Sequence, residues 1–395
     1  MDLENLESLA LHLLREACTG FGIMASPEVQ DNYRRLWSRD AMVSGIAALP
    51  TGDVQVLEGF RKSILTLSEY QHPHGMIPSN VLPDENNPDL SYGGLAGRVD
   101  ATSWFVVGAC LLISHTKDEK LKRKLQPGLL QALELMDRWE FNGRVLMYTP
   151  LSGNWADEYP VQGHTFYDNC LRLWGLELYA ELYGDGDRKT QSRIIRERIE
   201  INFWPEADIS DHPAVYHKRC FEEVAGKGPE HFACAIDPRG YNSHFDAAGH
   251  GLALDLGLAN AGQKQKIENY VQGIFEEIGA ALLPAFWPVI KPGDAEWAAI
   301  KENYSFDFKN EAYHFHNGGI WPVWMGLFGL GMSRAGNASI AQKMLDAWME
   351  IEDFEEPRFS EYIASDTLQP GGKQRLSYSA SGLLFLIQAI KHNHR

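Results

Sequence analysis

Basic residues are scarce in this 395-residue chain: 36 Lys and Arg face 53 Asp and Glu, for a formal net charge of −17 at pH 7. No clustered Lys/Arg surface is visible. That argues against a nucleic-acid binder, against docking on anionic membranes, and against gripping acidic substrates by bulk charge. Cysteine is rare as well. Cys18, Cys110, Cys170, Cys220 and Cys234 are odd in number, widely spaced and never arranged as C-x-x-C, so reduced cytoplasmic thiols are expected rather than a disulfide framework. No apolar run approaches the ~20 residues of a membrane span. The opening MDLENLESLALHLLREACTG is acidic and amphipathic, without the basic flank and apolar core of a secretory leader. Low-complexity tracts, charge blocks, Ser/Gly linkers and fixed-length repeats are all missing, which favours one domain over 1–395 and weakens a solenoid. A soluble, cytoplasmic protein is the expectation.

Strand-like alternation is equally thin; Arg144–Thr149 is the best candidate. What the chain does carry is helical periodicity, with apolar residues three and four apart. It predicts helices near 3–17, 40–49, 54–70, 99–114, 120–139, 164–183, 188–202, 245–259, 263–279, 318–334, 337–351 and 377–392. These sort into two kinds. The first, third and later odd members are charged and amphipathic. The even members, such as Asp100–Ile113 and Ser377–Ile387, are poor in charge, rich in small residues and apolar nearly all round, as buried helices are. Outer and inner helices alternating six times predict an all-α (α/α)6 toroid, with a generic helical bundle as the plainer alternative.

Loop lengths add an asymmetry. Turns from inner to outer helices are short, whereas 71–98, 140–163, 203–244, 280–317 and 352–376 are long and all lead into inner helices. Long loops gathered at one end of a compact domain usually carry function, and the inner-helix N-termini there expose free N–H groups. A funnel is expected at that end. The 11 Trp, 15 Tyr and 18 Phe fit it, since rings in loops are the usual floor for sugars.

The unusual residues fall at the funnel: Trp37-Ser38-Arg39-Asp40, then Gln71 and Arg98-Val99-Asp100, then Asn154-Trp155-Ala156-Asp157-Glu158-Tyr159 with His164. His314-Phe315-His316-Asn317-Gly318-Gly319-Ile320-Trp321-Pro322 opens the fifth inner helix, and Ser360-Glu361-Tyr362 with Gly372-Lys373-Gln374-Arg375 precedes the sixth. Inverting cleavage of a glycosidic bond needs one protonated carboxyl and one carboxylate, ~6.5–9.5 Å apart. Asp157, between Trp155 and Tyr159, is expected to be desolvated and to keep a proton for donation. Glu361 can then activate water. Arg39 and Asp40 offer donors beside an acceptor for adjacent sugar hydroxyls, and Asp100 and Trp104, one turn apart, an acceptor and a ring. His72/His74 and His314/His316 resemble metal-ligand pairs but lack a third ligand, so neither metal nor cofactor is expected.

The run from His316 to Pro322, with Ser360-Glu361-Tyr362, Gly372 to Arg375, Tyr378-Ser379 and Gly382, resembles the alkaline/neutral invertases. Trp37 to Asp40 and Val99-Asp100-Ala101-Thr102-Ser103-Trp104 are similar to the amylo-α-1,6-glucosidase (glycogen-debranching) catalytic domain, and more distantly to glucoamylase, trehalase and processing α-glucosidase I. The likeness runs in consistent order from about residue 35 to 390. It implies Asp157 as general acid, Glu361 as general base, Arg39 and Asp40 as contacts to the non-reducing sugar, and Asn317 with Gly318-Gly319 in the wall of that subsite. One departure matters: invertases follow the acid with two arginines, and Glu158-Tyr159 stand there here. That leaves fructose recognition without its expected residues and makes Glu158 a rival acid.

Three functions fit these observations. The first is an inverting glycosidase acting on a small α-glucoside. The second is a sugar epimerase of the N-acylglucosamine 2-epimerase kind, with His244, His250 and His316 as bases. The third is a non-catalytic carbohydrate-binding toroid. The paired carboxyls and the Arg-Asp element favour the first.

Overall fold

A computed structural model describes residues 2–84 and 87–392. The described chain is mainly helical: α1 (Leu3–Ala17), α2 (Ser38–Ala48), α3 (Val54–Glu69), α4 (Val99–Thr116), α5 (Glu119–Arg138), α6 (Phe166–Tyr183), α7 (Gly186–Phe203), α8 (Lys218–Lys227), α9 (Ala247–Asp255), α10 (Ala261–Ile278), α11 (Trp297–Glu302), α12 (Pro322–Arg334), α13 (Ser339–Ile351) and α14 (Ser377–His392). Twelve of these answer to the twelve helices expected from periodicity. The remaining two, α8 and α11, lie inside long loops.

The helices separate as their composition requires. In α4 every residue from Val99 to Cys110 is buried, whereas α5 buries one stripe, Leu121, Leu125, Leu129, Ala132, Leu133, Leu135 and Met136. Contacts run α2 to α4, α4 to α6, α6 to α9, α9 to α12 and α12 to α14, and α14 returns to α2. Amphipathic partners pack outside them: α3 on α2, α5 on α4, α7 on α6, α13 on α12, α1 on α14. Length and apolarity would let α4 cross a membrane, but most of it is buried among its neighbours. The tightest approach joins α12 and α14. A Cβ on Gly326 would lie 2.2 Å from Gly382 O, and one on Gly382 would lie 2.2 Å from Pro322 O, so only glycine allows these backbones to meet.

Most outer helices begin with a side-chain cap and most inner ones do not, the exceptions being inner α9, capped by Asp246, and outer α13, uncapped at Ala338. Asp53, Asp118, Asp185 and Asn260 cap α3, α5, α7 and α10 through side-chain oxygens, and Asn260 forms a full capping box with Gln263. At α2, α4, α6 and α12 the N-cap residues Trp37, Arg98, Thr165 and Trp321 supply no such bond. Their first-turn N–H groups point to the loop end of the molecule.

Three expectations need correction. Arg144–Thr149 is not a strand: Leu146 N donates to the Tyr216 hydroxyl (2.9 Å), Met147 N to Asn169 Oδ1 (2.8 Å) and Tyr148 N to Trp139 O (2.9 Å), so its donors are spent on other partners. Only Thr149 pairs, with Gly163, in an isolated bridge. The long loops are also more ordered than their sequence suggests. They hold α8, α11 and short antiparallel pairings: Leu36–Trp37 with Asn80–Leu82 and Asp89–Ser91, His164–Thr165 with Ala235–Asp237 and Gly240–Asn242, Phe245–Asp246 with Phe286–Trp287, and Tyr362–Ile363 with Pro370–Gly371. Finally, residues 164–165 and 245–246 are strand rather than helix, and α12 waits until Pro322, whose missing N–H suits a first turn.

Candidate active site

Three of the inner helices carry an aspartate in the first turn: Asp40 in α2, Asp100 in α4 and Asp168 in α6, each buried. Arg39 Nη1 lies 2.9 Å from Asp100 Oδ2, and the Tyr167 hydroxyl donates to the same oxygen at 3.2 Å. Trp104 Nε1 donates to Tyr167 Oη (2.7 Å), so this ring, 1% exposed, lies beneath the ion pair and is core, not sugar platform. The Arg39 guanidinium also stands 5.8 Å from the Tyr378 ring centroid. Arg39 Nε and Asp100 Oδ1 have no hydrogen-bond partner among the described residues, leaving a donor and an acceptor side by side. Burial pushes Asp40 up to about 6 against the pull of Arg39, with the charges of Asp100 and Glu361 adding to the rise.

Glu361 is brought to this floor from the other end of the chain. Its Oε1 accepts from the Tyr33 hydroxyl and its Oε2 from Lys373 N (3.2 Å). A Cβ on Gly372, at φ 72°, would fall 2.2 Å from Oε2, which explains glycine at that position. Burial raises Glu361 above the ordinary carboxylate range, partly offset by the Tyr33 and Lys373 donors. The Tyr33 phenol itself is held far above its usual range by burial, then by the charges of Glu361, Asp40 and Asp157. Among the described residues Glu361 alone bonds that hydroxyl, while Asp40 and Asp157 act on it through their charge.

Asp157 does not have the environment expected of it. Trp155 and Tyr159 turn away and sandwich the Phe286 ring, at 5.5 Å and 4.2 Å with interplanar angles of 5° and 8°. The Asp157 side chain is left 32% exposed and paired with Arg98, so it lacks the aromatic enclosure expected of it. Its neighbour Glu158 is only 7% exposed; Oε1 accepts Ser305 N at 3.2 Å, while Oε2 has no partner among the described residues. Burial raises Glu158, and the charge of Asp157 reinforces the shift. His316 is buried and held well below the usual imidazole range by desolvation and by the positive charges of Arg39, Lys309 and Arg98. Its ring stacks on Trp321 (5.3 Å) and meets the edge of Trp155 (5.2 Å).

Other residues named from sequence lie differently. Gln71 spends its amide on Gly75 O (3.0 Å) and Gly128 O (2.9 Å), tying a loop to α5. His164 faces Met147 O (3.2 Å) between the edges of Tyr148 and Tyr216. Asn317 is consumed on Ile290 N and O and on Asn310 O, and Gly318, at φ 91°, turns the chain against Val289. Asn317 thus has both ends of its amide occupied by backbone groups. Trp37 Nε1 donates to Asn32 O (3.0 Å) and Trp321 Nε1 to Phe315 O (2.9 Å), so both indoles brace neighbouring loops.

The histidines of the epimerase reading do not converge. His250 is core, its two nitrogens used by Asp246 O (2.7 Å) and Phe232 N (3.1 Å), while His244 is bound to Asn242 Oδ1 (2.9 Å). His72 Nδ1 accepts from His74 N (3.1 Å), and His314 lies 3.7 Å from Asp366. Tyr33, Tyr167 and Lys309 were not named from sequence as site residues. Tyr33 sits four positions before Trp37, a proximity that could have signalled it.

Among solved structures, the GH63 mannosylglycerate hydrolase from Thermus thermophilus, in complex with Tris and D-glycerate, superposes with a TM-score of 0.68 at 14% identity, covering 96% of this chain and 99% of that one. A GH78 family rhamnosidase of Bacillus sp. GL1 gives 0.62 at 12% identity, over 97% of this chain and 34% of that one. These likenesses show a shared fold. The chain also resembles the alkaline and neutral invertases, whose family model matches residues 219–391. It is 27% identical to neutral/alkaline invertase 1, mitochondrial, of Oryza sativa subsp. japonica, over 88% of this chain and 63% of that protein. With probable alkaline/neutral invertase F of Arabidopsis thaliana it shares 26% identity, over 85% and 77%. The chain thus spans less than two thirds of the length of the rice relative.

Proposed function

We propose that this chain is an inverting glycoside hydrolase, built as one (α/α)6 domain, that cleaves the α-glucosidic bond of a small glucoside or oligosaccharide. The observation that carries the reading is the buried Glu361 carboxyl, held by the Tyr33 hydroxyl and Lys373 N and close enough to Asp40 for its charge to act there, together with the Arg39–Asp100 ion pair. Asp100, Arg39 and Asp40 grip hydroxyls of the non-reducing sugar. Asp157 gives its proton to the glycosidic oxygen as the C1–O bond breaks. Glu361 takes a proton from a water that attacks C1 from the opposite face, and the sugar leaves as the β-anomer.

Glu158 is the second reading for the acid, favoured by its burial and raised pKa against the less buried, Arg98-paired Asp157. Five free cysteines suit a reducing compartment and support a cytoplasmic location. Incubation with sucrose, trehalose, isomaltose, maltose and glucosylglycerol-type glycosides, read by glucose release, tests the activity. Interconversion of a free monosaccharide without hydrolysis of any glucoside would overturn it.

A further inference from the structure

The three consecutive carbonyls of the acid-bearing turn are all held by one distant segment. Asn303 Nδ2 donates to Asp157 O and to Tyr159 O, each at 3.3 Å, and Asn310 Nδ2 donates to Glu158 O at 2.8 Å. Between them, Ser305 N reaches the Glu158 carboxyl. The strap is anchored at both ends: Ser152 Oγ donates to Asn303 Oδ1 (3.1 Å), and Asn310 Oδ1 accepts His316 N (3.0 Å). Asn310 is fully buried, and its own carbonyl accepts the Asn317 amide (3.1 Å). Tyr159 O also accepts Val161 N (2.8 Å), but the carbonyls of Asp157 and Glu158 would otherwise look to water. Here side-chain amides from about 150 residues away replace water and hold the turn in register with the His316 segment.

We propose that Asn310, with Asn303, is a positioning residue for proton donation: the strap 303–310 sets where the acid carboxyl of the 157–158 turn stands relative to the leaving oxygen. This rests on the hydrolase reading above, but not on which of Asp157 and Glu158 is the acid, since both carbonyls are held. Neither asparagine touches substrate in this scheme. Each acts through the turn.

A positional role differs from a merely structural one in its dependence on leaving group. Fluoride departs with little protonation, so α-glucosyl fluoride bypasses the acid, whereas a sugar alkoxide does not. Asn310→Ala and Asn303→Ala should each lower turnover of the best disaccharide from the screen by about 10- to 100-fold, the cost of a displacement on the order of 1 Å. KM should change little, and turnover of α-glucosyl fluoride should stay within about 3-fold of the parent. Asn303 is only partly buried, so its variant decides the matter if Asn310→Ala does not fold. Equal losses on both substrates would overturn the proposal and leave the strap a scaffold. The parallel variants Asp157→Asn and Glu158→Gln separate the two claims. If one of them shows the leaving-group split and the asparagine variants do not, the strap proposal fails and the acid assignment survives. If neither shows it, the hydrolase reading of this turn fails.

Discussion

The hydroxyl of Tyr33 donates a hydrogen bond to Oε1 of Glu361, a residue 328 positions away. That bond favours the ionised carboxylate, which is the form able to activate water. Tyr33→Phe should therefore raise the Glu361 pKa further and move the acidic limb of the kcat/KM profile to higher pH. Turnover should fall about 10-fold or more on every leaving group, fluoride included. An unmoved acidic limb would show that Glu361 is not the group titrating there.

Asp157→Asn should cut turnover of a glucoside with a sugar leaving group by ~10²–10⁴ and be partly rescued by α-glucosyl fluoride. Glu361→Gln should not be rescued, because its defect lies in the water. NMR of the first product should show the β-anomer. Appearance of the α-anomer would mean a covalent route and a carboxyl pair near ~5 Å. Rescue seen in Glu158→Gln but not in Asp157→Asn would transfer the acid role to Glu158.

Asp100 is 1% exposed and neutralises Arg39. Asp100→Asn leaves a buried guanidinium without its counter-charge, which costs about 3–5 kcal/mol in comparable buried pairs. Denaturant unfolding should register a loss of that order, and glucose should bind more weakly to the folded variant. Unchanged stability would show that Arg39 is neutralised by other groups.

Burial pushes Asp168 up to about 7 from its ordinary 3.8, while Thr149, Thr165 and Asn154 donate to its Oδ2. Between those values the folded chain holds a proton that the unfolded chain has released. The contribution of this group to stability is therefore complete below pH 3.8 and is lost as pH rises through 7. His231, held down to about 4 by burial, acts in the opposite sense, but only below its ordinary 6.5. Melting temperature should fall from pH 6.5 to 8 in the parent and fall less in Asp168→Asn. Identical slopes would refute the assignment.

Gly382→Ala drives a methyl into the Pro322 carbonyl of α12. Overpacking of this kind costs about 1–3 kcal/mol, and more where backbone must shift. Thermal unfolding should show the loss, whereas Gly257→Ala, with open space around its Cβ but a φ of 67°, should cost about 1 kcal/mol from strain alone.

The order and alternation of the principal helices were legible because each one's hydrogen bonds close within four residues and its burial is written in its own apolar spacing. The all-round apolar α4 against the striped α5 is the clearest case. Loop lengths likewise marked the segments that hold Asp157 and Glu361. The Arg144–Thr149 strand failed for the converse reason: its partners, Tyr216, Asn169 and Trp139, come from other segments, and alternation cannot reveal them.

The same reason governs the site. Sequence determined which residue types stand in the long loops, because motif and loop lie in one stretch of chain. Only the tertiary structure decided that Trp155 and Tyr159 shield Phe286 rather than Asp157, that Arg98 takes the Asp157 carboxylate, that Asn317 faces inward and that Tyr33 meets Glu361. The solvation and partners of a side chain are set by whatever distant segments pack against it, and those segments leave no local trace in its own sequence.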